Sequence, residues 1–225
     1  MLPTPTALAE RAAEVIAEHA REAVAARGEF HLALSGGSTP RLMLAALAER
    51  DDMPWRATDV FQVDERVAPD GHAERNASML HEVLLDRVKP GGFYPMRVTE
   101  PDVDDAVDRY VATMESVCGV PPMFDMIHLG LGADGHMASL VPGDPALDIA
   151  DRDVAMTGEY QGRRRMTLTR PVLERARALL WVIAGESKQS VLQQLLLGDD
   201  SIPAGRISNE HAIVLADDAA FGNAG

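Results

Sequence analysis

Cysteine, aromatic residues, long apolar runs and positive charge are all scarce in this chain, and each scarcity excludes something. A single cysteine, Cys118, cannot close an internal disulfide, which fits a reducing cytoplasm. Aromatics make up 4% of the 225 residues, so Leu, Val, Ile, Ala and Met must fill the core that a 46% apolar share allows. The longest clear apolar run, Ala178–Ala184, is the length of a strand and far short of a membrane span. The N-terminus, MLPTPTALAERAAEVI, has no basic region followed by an apolar block, so no signal peptide is expected. The net charge of −14 repels nucleic acid and anionic membranes, and neither is an expected partner. A small anionic ligand remains possible only where cations cluster locally against that field. No Cys, His and Asp set has metal-ligand spacing, so no metal is expected. Repeats, low-complexity tracts and linkers are missing too, and residues 1–225 read as a single domain.

What is present is an alternation of strands and helices. Thr6–Arg27 carries apolar residues at helical spacing and stops at Gly28. Phe30–Leu34 reads as a strand that runs into Ser35-Gly36-Gly37-Ser38-Thr39-Pro40, with Pro40 at a first helical position and Ser38 or Thr39 as the cap. Thr58–Val63 is a second strand, followed by a polar loop from Asp64-Glu65-Arg66 to His72, and Asn76 is placed to cap a helix over Ala77–Val88. Asp102 caps a helix to Val117, and Phe124–Leu129 is the central strand. Asp153–Thr157 and Arg165–Thr169 alternate as a strand pair set beside the main sheet. A helix at Pro171–Ala176, a strand at Leu179–Ala184, a helix at Ser187–Leu197 and a strand at His211–Ala216 complete the order.

This order predicts an α/β fold: a three-layer, doubly wound, mainly parallel sheet with helices on both faces, Rossmann-like, with a small strand excursion around 150–170. In such a sheet the strand ends share one edge. Four loops rich in Gly, Ser, Asp, Arg, His or Lys therefore converge there: Ser35–Thr39, Asp64–Arg66, Gly130–His136 and Gly185–Lys188.

Each loop offers chemistry. The amides of Ser35-Gly36-Gly37-Ser38-Thr39, between a strand end and a helix start, form a natural phosphate cradle. Lys188 stands in the first turn of its helix, where the dipole disfavours a cation unless an anion sits there too. His136 is the one histidine of seven that follows a glycine turn at a strand end, while His31, His128 and His211 lie within strands and read as packing residues. An imidazole titrates near neutral pH, and Asp134 is close enough to orient it. Arg165 opens an alternating segment after the basic run Arg163-Arg164-Arg165. The GxGxxG pattern in Gly130–Gly135 is weak evidence for a dinucleotide, because Asp134 would face the pyrophosphate. No GxSxG elbow is present, which argues against a serine acyl-enzyme.

Ser35–Pro40 (SGGSTP), Phe61–Arg66 (FQVDER), Gly130–Gly143 (GLGADGHMASLVPG), Arg165–Thr169 (RMTLT) and Gly185–Lys188 (GESK) together resemble the signature blocks of the 6-phosphogluconolactonases, within the wider group that includes glucosamine-6-phosphate deaminase. The deaminases resemble DGHIAFNEPG at the central block, with a catalytic glutamate before Pro-Gly. Here Val141 takes that place, as in the lactonase form. Met137 departs from the threonine frequent in lactonases, and so do the GHAER loop before Asn76 and the C-terminal segment.

The resemblance implies hydrolysis of a phosphorylated sugar lactone in the cytoplasm, without cofactor, by a monomer or weak homodimer. It implies catalytic roles for His136, Asp134, Asp64 and Arg66, and substrate or phosphate binding by Ser35, Gly36, Gly37, Ser38, Thr39, Arg165, Lys188 and Asn76. Whether Asp134 or Asp64 orients His136 stays open at this level. So does the division of phosphate and oxyanion between Arg66 and Arg165. A deaminase or isomerase and a non-catalytic sugar-phosphate binder are the alternatives.

Overall fold

A computed structural model describes residues 1–208 and 210–222. Helix α1 (Pro5–Arg27) starts on a Thr4 side-chain cap and ends at Gly28, whose φ of 86° is easy only for glycine. Next come β1 (Phe30–Leu34), α2 (Ser38–Ala48), β2 (Thr58–Gln62) and β3 (Asp64–Arg66). Helix α3 (Asn76–Leu80) continues as a π turn over His81–Leu85. Strand β4 (Gly92–Tyr94), α4 (Val103–Cys118) and β5 (Met126–Leu129) follow. Strands β6 (Val154–Met156) and β7 (Arg165–Leu168) lead into α5 (Arg170–Arg175), β8 (Leu179–Ile183), α6 (Gln189–Leu197), β9 (Ala212–Ala216) and α7 (Asp218–Phe221).

Six strands pair in the order β4-β2-β1-β5-β8-β9, every neighbour parallel. The chain winds outward from β1 through β2 to β4, then returns to the other side of β1 for β5, β8 and β9. The crevice at the carboxyl ends of β1 and β5 is thus the topological switch point. Alternate residues of each buried strand serve two cores. Phe30, Leu32, Leu34, Met126, Leu180 and Val182 pack beneath α1, α2 and α3. Ala33, Phe61, Ile127, Leu129, Trp181 and Ile183 pack on the opposite face with α4, α5 and α6.

The structure corrects several local expectations. Asp64–Arg66 is a strand, not a loop: β3 pairs antiparallel with β7, and β7 with β6, in a separate three-stranded sheet. Helix α2 begins at Ser38, with Gly37 at the cap position (φ 124°) and Pro40 third in the helix, so neither Ser38 nor Thr39 caps it. Asn76 does not cap α3 with its side chain. Buried Glu65 does that work, accepting the backbone N–H groups of Asn76 and Ala77 at 2.8 and 2.9 Å. A 3-10 turn, Glu186–Lys188, precedes α6. Strand β4 escaped prediction because Pro90-Gly91-Gly92 reads as a break and the strand has only three residues. His211 lies exposed just before β9 and is not a packing residue.

Candidate active site

The switch-point crevice is a cleft of about 410 Å³. The turn after β1 supplies Ser35, Gly36, Gly37, Ser38 and Thr39 to its wall. Strand β3 supplies Asp64 and Arg66, α3 supplies Asn76, the turn after β5 supplies His136, β7 supplies Arg165, and the turn before α6 supplies Lys188. Eleven of the twelve residues singled out in the sequence therefore line one cleft, and the twelfth, Asp134, is bonded to His136.

His136 Nδ1 lies 2.6 Å from Asp134 Oδ1, which also accepts the His136 backbone N–H at 3.2 Å. Burial alone would raise the Asp134 carboxyl, but the hydrogen bond and charge of His136, helped by Tyr160, hold it below the ordinary carboxylate range. An ionised carboxylate only accepts, so the proton of a neutral imidazole sits on Nδ1 and the lone pair on Nε2. Gly132 makes the pair possible: a Cβ there would meet Nδ1 at 2.1 Å and Asp134 Oδ1 at 2.6 Å.

Asp64 is engaged elsewhere. Its Oδ2 accepts from Ser139 Oγ at 2.5 Å and its Oδ1 from Asn76 Nδ2 at 3.1 Å. Asn76 Oδ1 in turn accepts from Arg66 Nη1 at 2.8 Å, so the amide bridges carboxylate and guanidinium. Gly36 leaves room for that amide, since a Cβ there would fall 1.9 Å from Asn76 Oδ1.

The cations are held apart from carboxylates. Among the described residues, none lies within ion-pair distance of Arg66, Arg165 or Lys188, although most arginines of this acidic chain are paired. Burial pushes the Lys188 amine down, with Asp134 opposing the shift. Burial likewise lowers Arg165, and neighbouring Arg66 adds to the effect against the pull of Asp64. Arg165 Nε is buried without a partner. At the start of α2 no side chain caps the helix, so its first amides face the cleft beside these cations. The cleft is built for an anion next to a base. No group of three or more His, Cys, Asp or Glu side chains is arranged to hold a metal among the described residues.

A family model described as glucosamine-6-phosphate isomerases/6-phosphogluconolactonase matches residues 3–215. The chain belongs to that family. It is 39% identical over 194 residues to a 6-phosphogluconolactonase of Synechocystis sp., covering 84% of this chain and 80% of the relative. With the 6-phosphogluconolactonase of Streptomyces coelicolor it shares 32% over 231 residues, covering 91% and 87%. The solved 6-phosphogluconolactonase from Trypanosoma cruzi superposes with a TM-score of 0.87 at 25% identity, over 100% of this chain and 95% of that one. A monomeric glucosamine-6-phosphate deaminase superposes at 0.84 with 18% identity, a likeness of fold.

Four residues in or beside the cleft were not singled out as site residues from the sequence. Ser139 binds Asp64, and Ala138 before it holds a φ of +50°. Gln161, at φ +53°, accepts from Arg165 Nη2 at 3.3 Å. Tyr160 touches the His136 ring, the Asp134 carboxylate and Arg165. Ala138 and Ser139 belong to a recognisable block, Gly130–Gly143. Tyr160 and Gln161 arrive from a hairpin turn whose approach to the cleft depends on tertiary packing.

Proposed function

We propose that this chain hydrolyses 6-phospho-D-glucono-1,5-lactone to 6-phosphogluconate, the second step of the oxidative pentose phosphate pathway. The observation that carries the reading is the Asp134–His136 pair, at 2.6 Å, on the rim of a cleft whose cations lack carboxylate partners. The relatives that cover most of the chain bear the lactonase name. A cytoplasmic site of action belongs to the same proposal.

The chemistry follows from the tautomer. His136 Nε2 takes a proton from water as the water oxygen attacks the lactone carbonyl carbon, C1. The tetrahedral intermediate collapses, the bond from C1 to the ring oxygen breaks, and His136 returns the proton to that oxygen. The acid product then ionises. General acid–base transfer of this kind contributes about 10²–10⁴-fold. Asp134 fixes the ring and stabilises the transient imidazolium. The first amides of α2, with Lys188, hold the phosphate and so orient the reacting end. Arg66 and Arg165 balance charge at the oxyanion or at the phosphate.

The deaminase reading loses support at Val141, a buried aliphatic side chain where that branch carries a carboxylate. The test is a stopped assay on freshly prepared lactone, with His136→Ala as the comparison. The wild-type chain accelerates lactone loss, and the variant loses at least a hundredfold in kcat with little change in substrate affinity. Ammonia release from glucosamine 6-phosphate would move the chain to the other branch. Binding of 6-phosphogluconate without acceleration would make it a sensor, and an unimpaired His136 variant would remove that residue from the mechanism.

A further inference from the structure

We infer that Tyr160 is a positioning residue for the Asp134–His136 pair, making a three-membered Tyr–Asp–His relay that the residue blocks of the family do not contain. The inference rests on the lactonase reading and deepens it.

The geometry is specific. Asp134 Oδ1 is taken by the ring and the backbone N–H of His136. The second oxygen, Oδ2, accepts from the Tyr160 hydroxyl at 3.1 Å. The carboxylate is therefore gripped at both ends, and its plane is set by two side chains from different parts of the chain. The Tyr160 ring also meets the His136 ring edge-on, with centroids 5.5 Å apart and planes at 67°. On the tyrosine ring lies the Arg165 guanidinium, its Cζ 5.0 Å from the centroid. One side chain thus links the base, its orienting carboxylate and a cation of the cleft.

The backbone that delivers it is strained. Tyr160 and Arg163 pair antiparallel across a two-residue bend, with the Tyr160 N–H donating to the Arg163 carbonyl at 2.9 Å. The two central residues, Gln161 and Gly162, have φ of +53° and +78°, the primed hairpin geometry. Glycine adopts that conformation freely, whereas a glutamine pays in strain, a cost that persists where surrounding contacts over-determine it. Here they do: the Gln161 amide accepts from Arg165 while the preceding residue reaches Asp134. Burial and the adjacent Asp134 carboxylate both raise the phenol, so Tyr160 stays a donor through the working range of a histidine base.

The hydroxyl withdraws negative charge from Asp134 on the side away from the imidazole. Its removal leaves a more basic carboxylate facing His136 and favours the imidazolium. The charged and titratable groups bearing on the pair are Tyr160 itself, Arg165 behind its ring, and Lys188, whose amine interacts with Asp134.

Tyr160→Phe and Tyr160→Ala separate the hydroxyl from the ring. With fresh lactone, Tyr160→Phe lowers kcat about five- to tenfold, leaves KM within twofold, and moves the acid limb of the kcat profile to higher pH. Tyr160→Ala, which also strips the support from Arg165, lowers kcat further and raises KM. Thermal melts of both variants separate these effects from misfolding. A Phe variant with wild-type kcat, or with lower kcat and an unmoved acid limb, overturns the relay. Wild-type protein that fails to accelerate lactone loss would instead overturn the lactonase reading, so the two failures are distinct.

Discussion

Arg66 and Arg165 stand directly opposite each other in the antiparallel pairing of β3 with β7, two cations side by side on one face of a small sheet. Like charges in directly opposed positions destabilise a sheet. Asp64, two residues before Arg66, offsets part of the repulsion, but Ser139 and Asn76 already occupy its oxygens. The pair is therefore a site whose electrostatics improve when an anion arrives. The strain lies where the proposed substrate brings its charge, which makes binding and stability readable together.

A ligand that binds only the folded state stabilises it by about 2.7 kcal/mol at a hundred times its Kd, or about 5–10 °C in Tm for a chain of this size. Saturating 6-phosphogluconate raises the wild-type Tm by that order. In Arg66→Met and Arg165→Met most of the increment disappears, while the unliganded Tm moves by no more than about 2–4 °C, because each substitution also removes a repulsion. Differential scanning fluorimetry checks this directly. A full ligand-induced shift in both variants would show that neither arginine meets the anion.

Lys188 gives a pH signature. Burial lowers its amine, with Asp134 pulling the other way, so the charge is lost at a lower pH than in an ordinary lysine. A phosphate held by that charge binds tightly below this titration and weakens as pH rises through it. Calorimetric titration with 6-phosphogluconate, which avoids spontaneous lactone loss at alkaline pH, should show affinity falling before the range of a free lysine is reached. Lys188→Ala binds more weakly at neutral pH and loses this alkaline dependence. Unchanged affinity in the variant would take the amine out of the phosphate site.

Gly132 isolates ring position from fold stability. Its φ is not in the left-handed region, so alanine meets no backbone penalty. The added Cβ collides instead with the His136 ring at 2.1 Å, the far end of a movable side chain. The ring swings aside at little cost to the fold but leaves its productive place, and a displacement near 1 Å can cost about a hundredfold in rate. Gly132→Ala therefore keeps its Tm within about 2–4 °C, roughly 1 kcal/mol, and loses about two orders of magnitude in kcat. A fully active variant would mean that the ring has no fixed working position.

The layered sheet and its convergent edge were legible because period and punctuation are local properties. Leu179–Ile183 is a continuous apolar run of strand length, and Phe30–Leu34 is one broken only by buried His31, as suits strands covered on both faces. Asp64-Glu65-Arg66 was not legible as a strand. Its pairing partner lies about a hundred residues away in β7, and polar residues facing a cleft carry no hydrophobic alternation. Asn76 illustrates the same limit. A helix start explains an asparagine locally, yet its amide is spent on Asp64 and Arg66 while a glutamate eleven residues earlier supplies the cap. The choice between Asp134 and Asp64 as partner of His136 also needed coordinates. Spacing admits both, and the distances separate them, since Asp64 is committed to Ser139 and Asn76.

His128 carries the last test, of stability at acid pH. It lies fully buried in β5, its Nδ1 facing the Ser35 N–H at 3.4 Å and its Nε2 without a partner. Burial pushes its pKa from 6.5 down to about 3. Between those values the unfolded chain binds a proton that the folded chain refuses, so stability falls as pH drops from about 6.5 toward 3. The slope approaches about 1.4 kcal/mol per pH unit, or about 2 kcal/mol between pH 7.5 and 5.0. Other groups titrate over the same interval, so the informative quantity is a difference of differences. Urea unfolding at the two pH values, in wild type and His128→Leu, should show the acid-induced loss shrinking by about 2 kcal/mol in the variant. The leucine also removes an unpaired donor from the core, which lessens the cost of the substitution at neutral pH. An equal acid-induced loss in both proteins would mean that His128 is protonated in the folded chain and that its surroundings open to admit the charge.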